Sequence, residues 1–191
     1  MTNQNFAQSF DHFPAHEHEM YHESHNLNPT VKRHPKLAVF DLDYTVWPFH
    51  VYDLVAPFKR IGQKVLDSNG MVIKYYQDVP RILEYLREHN ILVAAVSTTV
   101  RILHVQNILE MIGVARYFDH KEIYPRQKTK HLKNLKEATG IDYKDMIYFD
   151  DEQEHVNDIS KLGVTATRVE NRMGITHETF EKGLKKWARN N

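Results

Sequence analysis

Cysteine is absent from the 191 residues, which removes disulfides, thiolate zinc sites and sulfur nucleophiles together. Neither sign of charge dominates: 25 Lys and Arg balance 25 Asp and Glu, so the basic excess that marks many nucleic-acid binders is missing. The longest apolar run, residues 91–96, has six residues. A bilayer span needs about 20. What is present is an ordinary globular balance, 41% hydrophobic and 26% charged, enough for one core. The length also suits one domain, since domains run to roughly 100–200 residues.

Composition divides the chain near residue 34. Residues 1–34 hold six of the 13 histidines (His12, His16, His18, His22, His25, His34) and no glycine, and their apolar residues follow neither a helical nor a strand period. This segment reads as a disordered, His-rich tail, and 35–191 as the folded unit. It lacks the basic residues of a mitochondrial presequence, because no Lys or Arg precedes Lys32, and it lacks the apolar core of a signal peptide. The His16–Glu19 stretch has metal-binding residue types. The favoured reading is a solvated tail that becomes cationic as its imidazoles protonate near pH 6.5.

From Pro35 the pattern alternates. Short apolar runs at Leu37–Phe40, Ile91–Val96, Ile123–Tyr124, Met146–Phe149 and Val164–Val169 read as strands covered on both faces. Between them lie helical patterns. One starts at Asp78 as cap and Pro80 in the first turn, with Val79, Ile82, Leu83 and Leu86 on one face. The next directs Ile102, Leu103, Ile108, Leu109 and Ile112 inward and stops at Gly113. A third carries Leu132, Leu135 and Ala138 and ends at Gly140; a fourth spans about Gln153–Leu162. The terminal helix buries Phe180, Leu184 and Trp187. Lys64–Ile73 reads as two strands joined by a type I′ turn at Asn69-Gly70. The expected fold is α/β: a Rossmann-like, mainly parallel sheet with helices on both faces, and a small hairpin flap where a cap domain would need far more chain.

In such sheets ligands bind beyond the carboxyl ends of the strands. The residues that follow the apolar runs are Asp41-Leu42-Asp43-Tyr44-Thr45, Ser97-Thr98-Thr99, Lys128 a little further on, and Asp150-Asp151-Glu152. Carboxylates without thiolate or paired histidine suit a hard cation such as Mg²⁺. Asp41 and Asp43 are two residues apart, so in extended backbone they leave the same side, one placed to attack phosphorus and the other to handle protons. Ser97 and Lys128 offer a donor and a positive charge to phosphoryl oxygens. Each feature alone has a plainer reading: a helix cap, a solvated helix entrance, a surface lysine. Their shared position on one sheet edge favours the chemistry.

These residues also carry a resemblance. Asp41–Thr45 resembles the first motif of the haloacid dehalogenase (HAD) superfamily of phosphohydrolases, with Ser97, Lys128 and Asp150-Asp151 matching its other three motifs in order. The longer string 36–49, with Glu122–Pro125 and Tyr148–Glu152, resembles the eukaryotic magnesium-dependent phosphatase family, and the similarity runs from Pro35 to the C-terminus. The resemblance implies that Asp41 is nucleophile and Mg²⁺ ligand. Asp43 is general acid and base, and lends its backbone carbonyl to the metal. Asp151 is the remaining ligand, with Asp150 beside it as ligand or support. Ser97, Thr98 and Lys128 hold the substrate phosphate. Where the family places an arginine after the second-motif serine, this chain has Thr98, with Arg101 and Arg126 as the nearby alternatives.

Tyr44, Trp47, Pro48 and Phe49 follow the first motif either as an aromatic wall of the site or as packing, and packing is the favoured reading for Trp47. His50 and His155 read as ordinary polar neighbours. A receiver-type phosphorylation domain needs an acidic pair a strand before its phosphorylated Asp, a spacing absent here. The expectation is a Mg²⁺-dependent phosphomonoesterase acting through an aspartyl-phosphate on phosphotyrosine in proteins or on sugar and small-metabolite phosphates. The alternative is a non-catalytic phosphate-binding module. A cytoplasmic or nuclear monomer is expected, with no nucleic-acid or membrane partner.

Overall fold

The structure, a computed structural model, describes residues 33–170 and 172–191. The expected tail therefore lies almost wholly outside the described residues. The elements are β1 (Leu37–Asp41), β2 (Lys59–Ile61), β3 (Lys64–Leu66), β4 (Val72–Ile73), α1 (Val79–Glu88), β5 (Leu92–Ser97), α2 (Ile102–Met111), β6 (His120–Ile123), α3 (Lys128–Thr139), β7 (Met146–Asp150), α4 (Gln153–Lys161), β8 (Thr165–Arg168) and α5 (His177–Asn190). Five strands form one sheet in the order β6-β5-β1-β7-β8, and every pairing in it is parallel. None of the described helices is long and apolar enough to cross a membrane.

The continuous apolar runs are explained by two separate cores, one per face, because successive strand residues point opposite ways. Ala38, Phe40, Ala95, Ile147 and Phe149 face α1, α2 and α5 through Leu86, Ile108, Phe180 and Trp187. Leu37, Val39, Ala94, Val96, Met146 and Tyr148 face α3 and α4 through Leu132, Leu135, Val156 and Ile159. α5 approaches the sheet closely at Gly183, where a Cβ would stand 2.7 Å from Phe149 Cε1.

Several local expectations need correction. Leu103 is 77% exposed; Val105 takes its place in the core beside Ile108 and Leu109. Ala138 is exposed too. Asp78 stands at the start of α1 but makes no side-chain cap there. Its carboxylate accepts instead from the backbone N–H of His177 at 2.9 Å, so it serves the first turn of α5.

The flap is a three-stranded antiparallel sheet, β2-β3-β4, rather than a lone hairpin. The type I′ turn is also replaced. That turn needs positive φ at both central residues, and Asn69 is not among the positive-φ residues while Gly70 is, at +83°. Residues 67–71 form a five-residue loop closed by the Asp67 N–H on Met71 O at 3.0 Å. The Asp67 carboxylate organises it, accepting from the backbone N–H groups of Val55, Asn69 and Met71 at 3.1, 2.9 and 2.8 Å. Those donors, Val55 foremost, hold its carboxyl below the usual range.

Candidate active site

β1 and β7 run side by side in register, and their carboxyl ends carry Asp41 and Asp150. Asp151 follows one residue later. Ligand oxygens of Asp41, Asp150 and Asp151 all lie within 4.8 Å of one another, the one such cluster among the described residues. Lys128, the first residue of α3, inserts between them and is only 2% exposed. Its ammonium donates to Asp41 Oδ1 and to the Val96 carbonyl at 3.3 Å, and lies 3.6 Å from Asp150 Oδ2.

A lysine opening a helix, beside the positive end of the helix dipole and away from water, is doubly unfavourable by itself. Burial would lower its pKa, but Asp41 and Asp150 outweigh burial and raise it, so it stays an ammonium. The carboxylates have the opposite difficulty. Burial drives the Asp41 carboxyl well up; Lys128 draws it back, and the negative charge of Asp150 pushes it up again. Asp151 is raised to about 6, first by burial and then by the charges of Asp150 and Glu152. The cluster is short of positive charge, and its donors are all oxygens. That donor set and that deficit fit a hard divalent cation such as Mg²⁺.

Asp150 is already occupied. Tyr148 Oη donates to Oδ2, the Glu152 N–H donates to Oδ1 at 2.8 Å, and His155 Nδ1 lies 3.2 Å from Oδ2. Burial tends to raise Asp150, but His155, Lys128 and these donors together lower it. Asp151 is half-buried and less committed.

Asp43 does not join that cluster. β1 stops at Asp41, and the chain turns on Leu42, whose carbonyl accepts from the N–H groups of Thr45 and Val46 at 3.2 and 2.9 Å. Tyr44 completes the turn at φ +54°, a left-handed conformation costing about 1–2 kcal/mol for an L residue. The turn directs the Asp43 carboxylate toward Trp47 Nε1, 2.8 Å from Oδ1, and the Val51 N–H, 3.1 Å from Oδ2; His50 Nδ1 lies 3.2 Å from Oδ2. Burial raises its pKa, against the lowering effect of those donors.

Ser97 ends β5 next to β1 and is 5% exposed, with no side-chain hydrogen bond among the described residues. Thr98 is exposed beside it. Trp47 and Phe49 are buried and stacked, ring centroids 5.3 Å apart, so they are core rather than an aromatic wall. Trp47 has a second role that sequence reasoning missed, as a donor to Asp43. His50 and His155 are each within reach of a site carboxylate, closer to the chemistry than expected. Tyr148 was missed as well, although its position two residues before Asp150 on a strand puts both on one side. Arg126 is exposed and donates to the Pro125 carbonyl at 3.1 Å.

The acid phosphatase family matches residues 33–190. The chain belongs to it. Human Magnesium-dependent phosphatase 1 is 42% identical over 161 residues, covering 83% of this chain and 90% of the human protein. A HAD-like hydrolase superfamily protein from Schizosaccharomyces pombe is 32% identical over 144 residues, covering 69% and 83%. The sheet and its helices also superpose on the crystal structure of a HAD-superfamily hydrolase from Ehrlichia chaffeensis, with a TM-score of 0.55 at 14% identity over 78% of this chain and 94% of that one. The HAD-like, Rossmann-like fold of this acid phosphatase is the one its first motif implied.

Proposed function

We infer that this phosphatase, magnesium-dependent like the human relative it matches, hydrolyses phosphate monoesters through a phosphorylated Asp41. The supporting observation is the convergence of Asp41, Asp150 and Asp151 around one buried ammonium, Lys128, at the carboxyl edge of the sheet. Asp41 and Asp151 would hold the Mg²⁺, together with the Asp43 carbonyl, while Asp150 orients Lys128 and supports Asp151. The bound ion supplies charge that offsets the repulsion between a carboxylate nucleophile and a phosphate dianion.

In the first step an Asp41 carboxylate oxygen bonds to phosphorus, the ester P–O bond breaks, and Asp43 gives its proton to the departing alkoxide. In the second, Asp43 takes a proton from water, the water oxygen bonds to phosphorus, and the Asp41–phosphorus bond breaks to release inorganic phosphate. Burial raises the Asp43 carboxyl, the direction that favours a proton available for the leaving group. Lys128, Ser97 and Thr98 hold the phosphoryl oxygens, where transition-state charge spreads. The folded unit carrying this activity is residues 35–191, outside the His-rich segment. Its small flap leaves room for phosphate on a protein side chain as well as on a sugar or other metabolite.

Phosphate release from p-nitrophenyl phosphate with Mg²⁺ or with EDTA tests the reading. Asp41→Asn keeps the size of the side chain but not the nucleophile, so turnover should vanish while the circular dichroism stays unchanged. Activity within about tenfold of the unmodified protein, ~1.4 kcal/mol of barrier, would remove Asp41 from its role.

A further inference from the structure

An arginine stands at the rim of this site. Arg101 is half-buried just before α2, and among the described residues it meets no carboxylate. One guanidinium N–H donates to the Leu54 carbonyl at 3.2 Å, and the group lies over the Tyr52 ring, 5.4 Å from its centroid. Those contacts fix its plane and leave most of its five donors unspent. A guanidinium held this way is a fork for a carboxylate or a phosphate.

Tyr52 sets where that fork stands. Its phenol oxygen accepts from the Val100 N–H at 3.2 Å, in the loop that follows Ser97. Its ring centroid is 5.1 Å from that of His50, and His50 Nδ1 is 3.2 Å from Asp43. Asp43, His50, Tyr52 and Arg101 therefore form a continuous file, from the group that protonates the leaving oxygen outward to a guanidinium that meets no carboxylate among the described residues. Tyr52 and Val100 beside it are 43% and 63% exposed, placing an aromatic ring and an apolar side chain next to the charge.

We propose that His50, Tyr52 and Arg101 form a leaving-group subsite, selecting phosphate monoesters whose alcohol is a flat body bearing a second anion, a carboxylate or a phosphate. The proposal rests on the phosphatase reading above. The leaving oxygen lies beside Asp43, the body of the alcohol lies along His50 and Tyr52, and its distal anion meets Arg101. Arg101 acts here as a specificity residue and takes no part in bond making.

The test compares esters that differ in the distal group. With Mg²⁺ present, 4-carboxyphenyl phosphate is compared with 4-carbamoylphenyl phosphate, an ester of nearly the same shape whose distal group is uncharged. A second arm compares 1,4-phenylene bisphosphate with 4-hydroxyphenyl phosphate. The unmodified protein should show roughly tenfold higher kcat/KM for the anionic member of at least one pair, carried mainly by KM and shrinking as salt is raised. The arm with the larger preference names the anion. Arg101→Gln should bring the ratio near one, with Arg101→Lys between, and Tyr52→Leu should reduce it. A ratio near one for both pairs in the unmodified protein overturns the subsite, and this needs no variant to fold. So does a ratio that Arg101→Gln leaves intact, which would make Arg101 a tie between residues 52–54 and α2. If no ester is hydrolysed, p-nitrophenyl phosphate included, the phosphatase reading fails first and the subsite falls with it.

Discussion

The Trp47 indole donates its N–H to Asp43 Oδ1 at 2.8 Å while its ring is fully buried against Phe49. One side chain thus belongs to the core and holds the Asp43 carboxylate at once. The Leu42 turn places it there, bringing Trp47 four residues on from Asp43 back alongside it as an isolated bridge. The position of Asp43 is therefore fixed by packing as well as by hydrogen bonds.

Trp47→Phe separates those two roles, keeping an aromatic ring in the stack and removing the donor. A hydrogen bond to a charged group is worth about 1.5–3 kcal/mol. The expected result is a fall in kcat of roughly tenfold or more on alkyl phosphates, with KM little changed. The loss should be smaller on p-nitrophenyl phosphate, whose leaving group needs less proton assistance. Equal losses on both esters would mean that Trp47 supports the fold and does not position Asp43.

The parts legible in the sequence are those dominated by burial. Leu37–Asp41 and Leu92–Ser97 are central parallel strands, and their unbroken apolar runs could be little else. Once the strand ends were known, Asp41, Ser97, Lys128 and Asp150 fell on one edge by topology alone. Lys59–Ile61 was not legible, because all three of its residues are exposed and its stability comes from pairing with β3. The partner of Asp78 was hidden for another reason: His177 lies 99 residues away, and no local pattern encodes that contact. The five-residue loop at Asp67 was missed because one carboxylate with three backbone donors overrode the turn preference of Asn-Gly.

Gly183→Ala sets two magnitudes against each other. Inside α5 alanine gains about 1 kcal/mol of helix propensity over glycine. The added Cβ, however, would stand 2.7 and 2.8 Å from Phe149 Cε1 and Cζ, and 3.1 Å from Ile147 Cδ1, in a packed core. Overpacking of that kind costs roughly 1–3 kcal/mol. The net expectation is destabilisation, read as a lower urea midpoint. A raised midpoint would show that the helix–sheet contact yields more readily than this packing implies.

His131 should make the fold acid-sensitive. It is fully buried, its Nε2 donates to the Tyr124 carbonyl at 3.1 Å, and Nδ1 has no partner among the described residues. Burial, then the nearby Lys128 charge, lowers its pKa from 6.5 to about 4. The neutral ring is the form the fold accepts, so its contribution is complete above pH 6.5 and is lost as pH falls toward 4. The loss reaches about 2 kcal/mol by pH 5 and roughly 3 kcal/mol by pH 4. His131→Gln keeps a donor for Tyr124 without a titrating ring. Urea unfolding at pH 7 and pH 5 should then show a smaller pH penalty in the variant, and parallel pH curves would remove His131 as the cause.

Asp43→Asn should divide the two chemical steps. The amide preserves the size of the side chain and the backbone carbonyl, and it removes both proton transfers. With p-nitrophenyl phosphate the first step needs little acid help, so Asp41 should still be phosphorylated. The second step requires a base for water and should slow more. A phosphoenzyme should therefore accumulate that survives acid quenching, is cleaved by hydroxylamine, and appears as a gain of one phosphoryl group on the peptide containing Asp41. The unmodified protein should show little of it at steady state, and Asp41→Asn none. A gain mapped to Ser97 or to a histidine would put the nucleophile elsewhere. If no adduct forms with any activated ester, direct attack by a metal-bound hydroxide becomes the better account, and Asp41 would be left as a ligand only.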